Sequence, residues 1–95
     1  MSEYKYETVE TALFRKTRKL AKKRGYDLSL LYEPIDILAK GSQLLPEYQD
    51  HQLKGRLADF RECHIKSDWL LVYRIIEDKL ILSLHCTGTH ADIFE

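Results

Sequence analysis

The chain has 95 residues, of which 44% are hydrophobic and 32% charged, and its formal net charge is zero. This length fits one hydrophobic core, so we expect a single domain over residues 1–95, and the composition excludes an intrinsically disordered chain. No run approaches the roughly 20 apolar residues that a membrane span needs, so we expect a cytoplasmic protein with no membrane partner.

The N-terminal part of the chain predicts a short strand and a helix. Residues 4–9 alternate β-favouring and polar side chains, which favours a strand. From about Glu10 the apolar positions recur at helical spacing, and Gly25 is typical of a helix end. The predicted apolar stripe of this helix consists of Leu13, Thr17, Leu20 and Ala21.

The other faces of this helix are strongly basic. Seven of the ten residues between Arg15 and Arg24 are Lys or Arg, namely Arg15, Lys16, Arg18, Lys19, Lys22, Lys23 and Arg24. Such a block is typical of a surface that binds a polyanion, and also of an ordinary solvated helix face. The sequence leaves both interpretations open.

A second helix is predicted after Asp27. Asp27 can cap its first turn, and Gly41 is typical of its end. Pro34 lacks a backbone N–H, so either the helix kinks there or its regular part begins at Pro34. The apolar positions at helical spacing are Leu28, Leu31, Ile35 and Leu38.

The second half of the chain predicts a loop over residues 42–53 and then three strands. The strands cover residues 56–65, 69–76 and 80–86, and tight turns at residues 66–68 and 77–79 join them. Residues 69–76 are apolar on both faces apart from Arg74, which is typical of a central strand. Together these elements predict an α+β fold, with two N-terminal helices packed on one face of a small, mainly antiparallel sheet of three or four strands.

Histidine and cysteine side chains raise the question of a metal site. The potential ligands are His51, Cys63, His64, His85, Cys86 and His90. Cys63 and His64 are neighbours in one predicted strand, as His85 and Cys86 are in another, and strand neighbours point to opposite faces. We therefore expect no metal and no other cofactor. A cysteine nucleophile is not expected either, because free cysteines within strands are usually small buried hydrophobes.

Polar residues at the predicted strand ends indicate acid–base chemistry on RNA. RNA is cleaved without metal when a base takes the 2′-hydroxyl proton, an acid protonates the leaving 5′-oxygen, and a cation stabilises the phosphate. Histidine suits either proton transfer because its unperturbed pKa is about 6.5. The groups available for proton transfer are His51, His64, Asp68 and His90, while Trp69 and Phe94 could stack on bases.

Three spaced motifs resemble one known family. They are Tyr48-x-Asp50-His51-x-Leu53-x-Gly55, then Phe60-Arg61-Glu62-Cys63-His64-Ile65 with Asp68-Trp69, then Thr87-Gly88-Thr89-His90-x-x-x-Phe94. In this order they closely resemble the YafQ-type toxins of the RelE/ParE superfamily, the toxin halves of bacterial type II toxin–antitoxin modules. The resemblance implies a RelE-like fold, a ribosome-dependent and metal-free mRNA endoribonuclease, and a cognate antitoxin as partner.

The resemblance also implies roles for single residues. His51, His64, Asp68 and His90 match positions implicated in acid–base chemistry, and Trp69 and Phe94 match positions that contact the mRNA. We expect His90 as the general acid and Asp68 or His64 as the base. Ribosome-dependent relatives dock against ribosomal RNA, here 16S rRNA, and the phosphate contacts could come from Arg15, Lys16, Arg18, Lys19, Lys22 and Lys23.

One position departs from the pattern of this family. The family commonly has an arginine just before the Thr-Gly-Thr segment, where it can stabilise the transition-state phosphate, and this chain has Cys86. Loss of one such contact costs on the order of a hundred- to a thousandfold in rate. The candidate replacements are Lys54, Arg56 and Arg61. The alternative function is a protein of the same fold that binds antitoxin, ribosome or another target with weak or no RNase activity.

Overall fold

The computed structural model describes residues 3–94, which form an α+β structure around one five-stranded sheet. The elements in chain order are β1 (Glu7–Glu10), α1 (Ala12–Lys23), α2 (Leu28–Ala39), β2 (His51–Gln52), β3 (Arg61–Lys66), β4 (Trp69–Ile76), β5 (Ile81–Gly88) and α3 (His90–Phe94). Short 3₁₀ turns lie at Pro46–Tyr48, Gly55–Leu57 and Glu77–Lys79. No helix within residues 3–94 is long and apolar enough to cross a membrane.

The sheet has the order β1-β5-β4-β3-β2, in which β1 runs parallel to β5 and the other pairs are antiparallel. The predicted fold class is confirmed, as is the central position of β4. The sheet is larger than the three or four strands predicted because His51 and Gln52, in the predicted loop, pair with Glu62 and Arg61 as an edge strand. This edge strand forms through pairing with a distant segment, which a local sequence pattern does not reveal.

Helix α1 ends just before Gly25 as predicted, but its buried face differs from the predicted stripe. Phe14 is completely buried, whereas Leu13 and Leu20 are 44% and 41% exposed. The hydroxyl of Thr11 caps the helix by accepting from the backbone N–H of Phe14. The large Phe14 side chain therefore determines which face of the helix points to the core. Of the predicted apolar stripe, Ala21, two turns after Phe14, is buried on the same face.

Helix α2 begins at Leu28, where Asp27 caps it by accepting from the backbone N–H of Ser29 at 3.0 Å. The helix continues through Pro34, which is buried, so the alternative in which the regular part begins at Pro34 is wrong. Leu31, Ile35 and Leu38 are buried in the core as their spacing predicted.

A β-bulge lies in β5 opposite β4. Val72 pairs with Cys86 and Tyr73 pairs with Leu84, so His85 is the extra residue. Leu82 and Leu84 are in the core, whereas Leu80, the first residue of the predicted strand, is 47% exposed and lies before β5. The strand continues through Gly88 instead of ending at residue 86 as predicted. After the bulge, Cys86 lies on the face of Val72, away from the core that contains Tyr73.

Candidate active site

A cluster of titratable side chains lies on the β2–β3 edge of the sheet. Glu62 and His64 are two positions apart on β3 and therefore share a face, and His51 lies opposite Glu62 in the β2–β3 pair. Nε2 of His51 and Nε2 of His64 lie 3.4 Å and 3.5 Å from Oε1 of Glu62. The strand pairing thus places one carboxylate between two imidazoles.

Glu62 is the residue of this cluster that the sequence interpretation missed. Its side chain is 4% exposed, and its Oε2 is the only buried side-chain N or O atom within residues 3–94 that has no hydrogen-bond partner. A buried carboxylate with an unpartnered oxygen is costly and is a common mark of a functional site. In the sequence, Glu62 lies two positions before His64 in a predicted strand, and this spacing places both side chains on the same face.

The ring of His51 is oriented by the main chain. Nδ1 of His51 lies 2.8 Å from the carbonyl oxygen of Gln49, so Nδ1–H donates to that oxygen and Nε2 is the nitrogen that faces the cluster. Gln49 has a left-handed backbone conformation, with φ of 49°, at the end of the Pro46–Tyr48 turn. This conformation turns the Gln49 carbonyl toward the ring and so points Nε2 of His51 at Glu62.

His90, the first residue of α3, is held by Asp68 in the turn between β3 and β4. Oδ1 of Asp68 lies 2.7 Å from Nδ1 of His90 and 3.0 Å from its backbone nitrogen. These two hydrogen bonds lower the pKa of Asp68 below its ordinary value. Asp68 is therefore ionised near neutral pH and fixes the proton of His90 on Nδ1.

The cluster at the β2–β3 edge and the His90–Asp68 pair lie next to each other. The ring centroids of His51 and His64 are 6.2 Å apart, and those of His64 and His90 are 5.8 Å apart. The ring of Phe94 follows at 6.1 Å from His90. The structure thus brings together the four residues expected to carry acid–base chemistry, His51, His64, Asp68 and His90.

A basic cavity adjoins this cluster. It has a volume of about 260 Å³ and is lined by Lys54, Arg56, Leu57, Ile93 and Phe94. Phe94 is 46% exposed, so part of its ring is accessible to a base. Two of the expected phosphate-binding side chains therefore lie beside an available aromatic ring.

Two residues expected to contact RNA have other positions. Trp69 is 4% exposed, its Nε1–H donates to Oγ1 of Thr87 at 2.8 Å, and its ring packs against Tyr26, so it is a core residue with no face for a base.

Arg61 pairs with Asp50 at 2.8 Å and lies opposite Tyr73, on the face of the sheet away from Glu62. Arg61 is therefore not a replacement for the missing arginine.

The basic residues of α1 form a surface beside α3. Arg18 pairs with Glu10, and Arg24 pairs with Asp92 of α3 at 2.6 Å. This second pair holds the pKa of Asp92 well below its ordinary value. The other expected residues are exposed on α1, namely Arg15, Lys16, Lys19, Lys22 and Lys23.

Neither cysteine has the environment of a nucleophile. Burial strongly raises the pKa of the Cys63 thiol, and it raises the pKa of Cys86 to about 11. Both are therefore protonated near neutral pH. Burial also lowers the pKa of His85, whose ring packs against Phe60 with centroids 4.4 Å apart, so His85 is a neutral neighbour of Cys86 and adds no positive charge.

Comparisons with known proteins agree with one another. The chain matches the family described as "Bacterial toxin of type II toxin-antitoxin system, YafQ" over residues 6–95. The mRNA interferase toxin YafQ of Escherichia coli K12 is 39% identical over 82 residues, which cover 85% of this chain and 87% of that protein. A chain of the E. coli DinJ-YafQ toxin–antitoxin complex superposes with a TM-score of 0.87, at 30% identity and coverage of 96% and 99%. A metal-bound toxin from Helicobacter pylori is 44% identical, with a TM-score of 0.88 and coverage of 94% and 99%.

Proposed function

Because the chain belongs to the YafQ family of toxins from bacterial type II toxin–antitoxin systems, we propose that it is a ribosome-dependent mRNA endoribonuclease. The family inferred from the three sequence motifs is confirmed by this membership. The observation that supports the chemistry most directly is the pair of carboxylate-oriented histidines, His90 with Asp68 and His64 with Glu62. Each pair orients one ring nitrogen and leaves the other for substrate.

His90 acts as the general acid. Asp68 accepts from its Nδ1–H, so Nε2 is the nitrogen that gives a proton to the leaving 5′-oxygen. In the imidazolium form that an acid has before transfer, both ring nitrogens carry a proton, and Asp68 still accepts from Nδ1–H. Asp68 itself is not the base, because its pKa is lowered and its Oδ1 is occupied by His90.

His64 acts as the general base, with Glu62 as its orienting partner. The Glu62 carboxylate lies 3.5 Å from Nε2, so it stabilises a proton on that nitrogen and leaves Nδ1 to take the proton of the 2′-hydroxyl. The positive charge that then forms on His64 is next to a buried carboxylate. His64 is 20% exposed and His90 is 51% exposed, so substrate reaches both rings.

The charge that develops on the phosphate needs a cation other than the family arginine. Cys86 is buried and neutral, and it supplies none. Lys54 and Arg56 line the cavity beside Phe94 and are the candidates for this role. Their side chains are exposed, and water screens their charge, so we propose a slower reaction than in a family member that carries the arginine.

The partners follow from the proposed substrate. We propose a cognate antitoxin, the ribosome with its 16S rRNA, and mRNA as partners, and the cytoplasm as the place of action. The exposed lysines of α1 contact rRNA phosphates in this proposal. Arg24 joins that surface to α3 through Asp92, so ribosome docking and the position of His90 involve the same helix pair.

The test is cleavage of an mRNA held in the ribosomal A site. The wild type is expected to cut, and His90→Ala is expected to cut about 100- to 10,000-fold more slowly because it lacks the acid. His85→Ala is the matched control, since His85 lies next to Cys86 but outside the cluster. Full cleavage by His90→Ala would refute the proposed mechanism. A wild type that binds ribosome or antitoxin without cutting would instead support the binding-only alternative.

A further inference from the structure

A second cavity adjoins the His90–Asp68 pair and has no part in the proton transfers. Its volume is about 410 Å³, within the range of about 300–1,000 Å³ that small-molecule sites occupy. It lies where the connection between α1 and α2 meets the turn between β3 and β4 and the residue before α3. The polar and aromatic residues that line it include Tyr26, Asp27, Lys66, Asp68 and Thr89.

The position of the cavity relates it to one side of the bond that is cut. Asp68 and Thr89 are the hydrogen-bond partner and the chain neighbour of His90, and the lining does not include His64, the proposed base. In the proposed reaction His90 protonates the leaving 5′-oxygen, which belongs to the nucleotide on the 3′ side of the cut. The cavity therefore lies on the side of that nucleotide.

One wall of the cavity is aromatic. The rings of Tyr26 and Trp69 both belong to the lining, and their centroids are 4.9 Å apart. Trp69 is buried in the core, whereas Tyr26 is only partly buried, so Tyr26 is the ring that a ligand reaches. Aromatic side chains of this kind stack on unpaired RNA bases.

The charges of this cavity suit the edge of a base. The cavity beside Phe94 has Lys54 and Arg56 as its charged lining residues, which suits a phosphate. The present cavity instead combines the carboxylate of Asp27 with the ammonium of Lys66. Bases carry both hydrogen-bond donors and acceptors, so a lining with both charges fits them better than a purely basic one does.

Asp27 has one oxygen left for a ligand. Its Oδ1 accepts from the backbone N–H of Ser29 at 3.0 Å and from the hydroxyl of Ser29 at 2.7 Å, which caps α2. Its Oδ2 accepts no hydrogen bond within residues 3–94. A carboxylate oxygen only accepts, so Oδ2 suits the exocyclic amino group that adenine, cytosine and guanine carry and uracil lacks.

Lys66 supplies a cation without a protein partner. It is exposed and forms no salt bridge within residues 3–94. Hydrogen bonds from Ser29 lower the pKa of Asp27, and the charge of Lys66 adds a smaller effect, so the two side chains are close enough to interact across the cavity. An exposed ammonium is a common phosphate contact, and a nucleotide within RNA carries a phosphate on its 3′ oxygen.

We infer that this cavity binds the nucleotide on the 3′ side of the cut, with its base against Tyr26, its exocyclic amino group at Asp27 and its 3′-phosphate at Lys66. Asp27 then determines which base is accepted at this position. The assignment to the 3′ side of the cut rests on the proposed function, whereas the binding of a nucleotide does not.

The first test compares two mRNAs in the ribosomal A site, which carry adenosine or purine riboside as the first nucleotide after the cut. Purine riboside has the shape of adenosine without the amino group. The wild type is expected to cut the purine riboside message about tenfold more slowly, because a hydrogen bond to a charged group is lost. Equal rates for the two messages would overturn the role of Asp27.

Asp27→Asn changes the group that faces the ligand and retains the helix cap. Because the oxygen that accepts from Ser29 must remain an acceptor, the amide nitrogen takes the place of Oδ2 and presents a donor to the amino group. The two messages are therefore expected to be cut at the same rate by this variant. Asp78→Asn, in the exposed turn between β4 and β5, is the matched control and is expected to retain the tenfold difference. A tenfold difference that persists in Asp27→Asn contradicts the assignment.

The second test measures nucleotide binding without cleavage. Adenosine 3′-monophosphate and uridine 3′-monophosphate are titrated into the full chain, and the backbone amide signals are followed by NMR. Saturable shifts are expected at Tyr26, Lys66 and Thr89, with tighter binding of the adenosine compound. Lys66→Gln is expected to weaken the binding of both about three- to tenfold, while Lys79→Gln, an exposed lysine of the β4–β5 turn, binds like the wild type.

The two tests separate the two levels of the inference. Shifts that are absent from Tyr26, Lys66 and Thr89, or equal affinities for the two nucleotides, overturn the binding site, and thermal unfolding of every variant verifies that it is folded. If the wild type cuts neither message, the proposed function fails, and the titration still decides whether the cavity binds a nucleotide.

Discussion

Replacement of Asp68 by Asn tests the orientation of His90. The amide keeps the size of the side chain but loses the charge, and it can present an N–H to Nδ1 and favour the wrong tautomer of the ring. In the buried triad of serine proteases the equivalent change lowers kcat about 10,000-fold. His90 and Asp68 are 51% and 59% exposed, so water replaces part of the lost interaction. We therefore expect a loss of roughly 10- to 100-fold.

The assay is the single-turnover rate of cleavage of an mRNA programmed in the ribosomal A site, measured across pH. Asp68→Asn is expected to cut more slowly than the wild type throughout the pH range, because the amide no longer fixes the proton of His90 on Nδ1. Asp78→Asn is the matched control, since Asp78 is an exposed acid in the turn between β4 and β5. A wild-type rate and profile in Asp68→Asn would refute the role, and so would an equal loss in Asp78→Asn.

Three further outcomes follow from packing and charge. Trp69→Ala is expected to lower the free energy of unfolding by about 3–5 kcal/mol, measured by urea denaturation, because it leaves a cavity in the core. If Trp69 stacked on RNA instead, the variant would bind RNA more weakly and keep its normal stability. Cys86→Arg is expected to raise the cleavage rate by up to about 100-fold and to cost about 1–3 kcal/mol of stability, since Cys86 is buried. Asp92 has a lowered pKa in the folded state, so its ion pair with Arg24 stabilises the fold above the ordinary pKa of 3.8 and is lost as the pH falls further. Asp92→Asn is therefore expected to reduce the fall in Tm between pH 5 and pH 2, and an unchanged fall would contradict this assignment.

Local sequence patterns predicted the bounds of the central strand and the ends of the two long helices. β4 is buried on both faces over most of its length, and its predicted bounds, residues 69–76, are those observed. The ends of α1 and α2 depend on capping and glycine residues that act within a few positions, such as Asp27 and Gly25. These signals are local and hence visible in the sequence.

The features that local patterns missed depend on pairing between distant segments. Glu62 pairs with His51 of β2, and β2 was not predicted as an element. The bulge at His85 is a property of the β4–β5 register. Trp69 illustrates the same limit: its aromatic ring and the family resemblance predicted an RNA contact, whereas contacts with Tyr26 and Thr87, both distant in sequence, place it in the core.

The parallel pairing of β1 with β5 also has a consequence for the order in which the toxin is made. Glu7 pairs with Ile81, and Thr11 donates to the carbonyl of His85, its partner 74 positions further along the chain. At about 5–20 residues per second a ribosome takes about 4 to 15 s to synthesise that interval, during which β1 has no strand to pair with. β5 also leads directly into α3 and His90. The nascent chain therefore acquires its last sheet partner and its candidate general acid at nearly the same time, so an unfinished toxin is an inactive one.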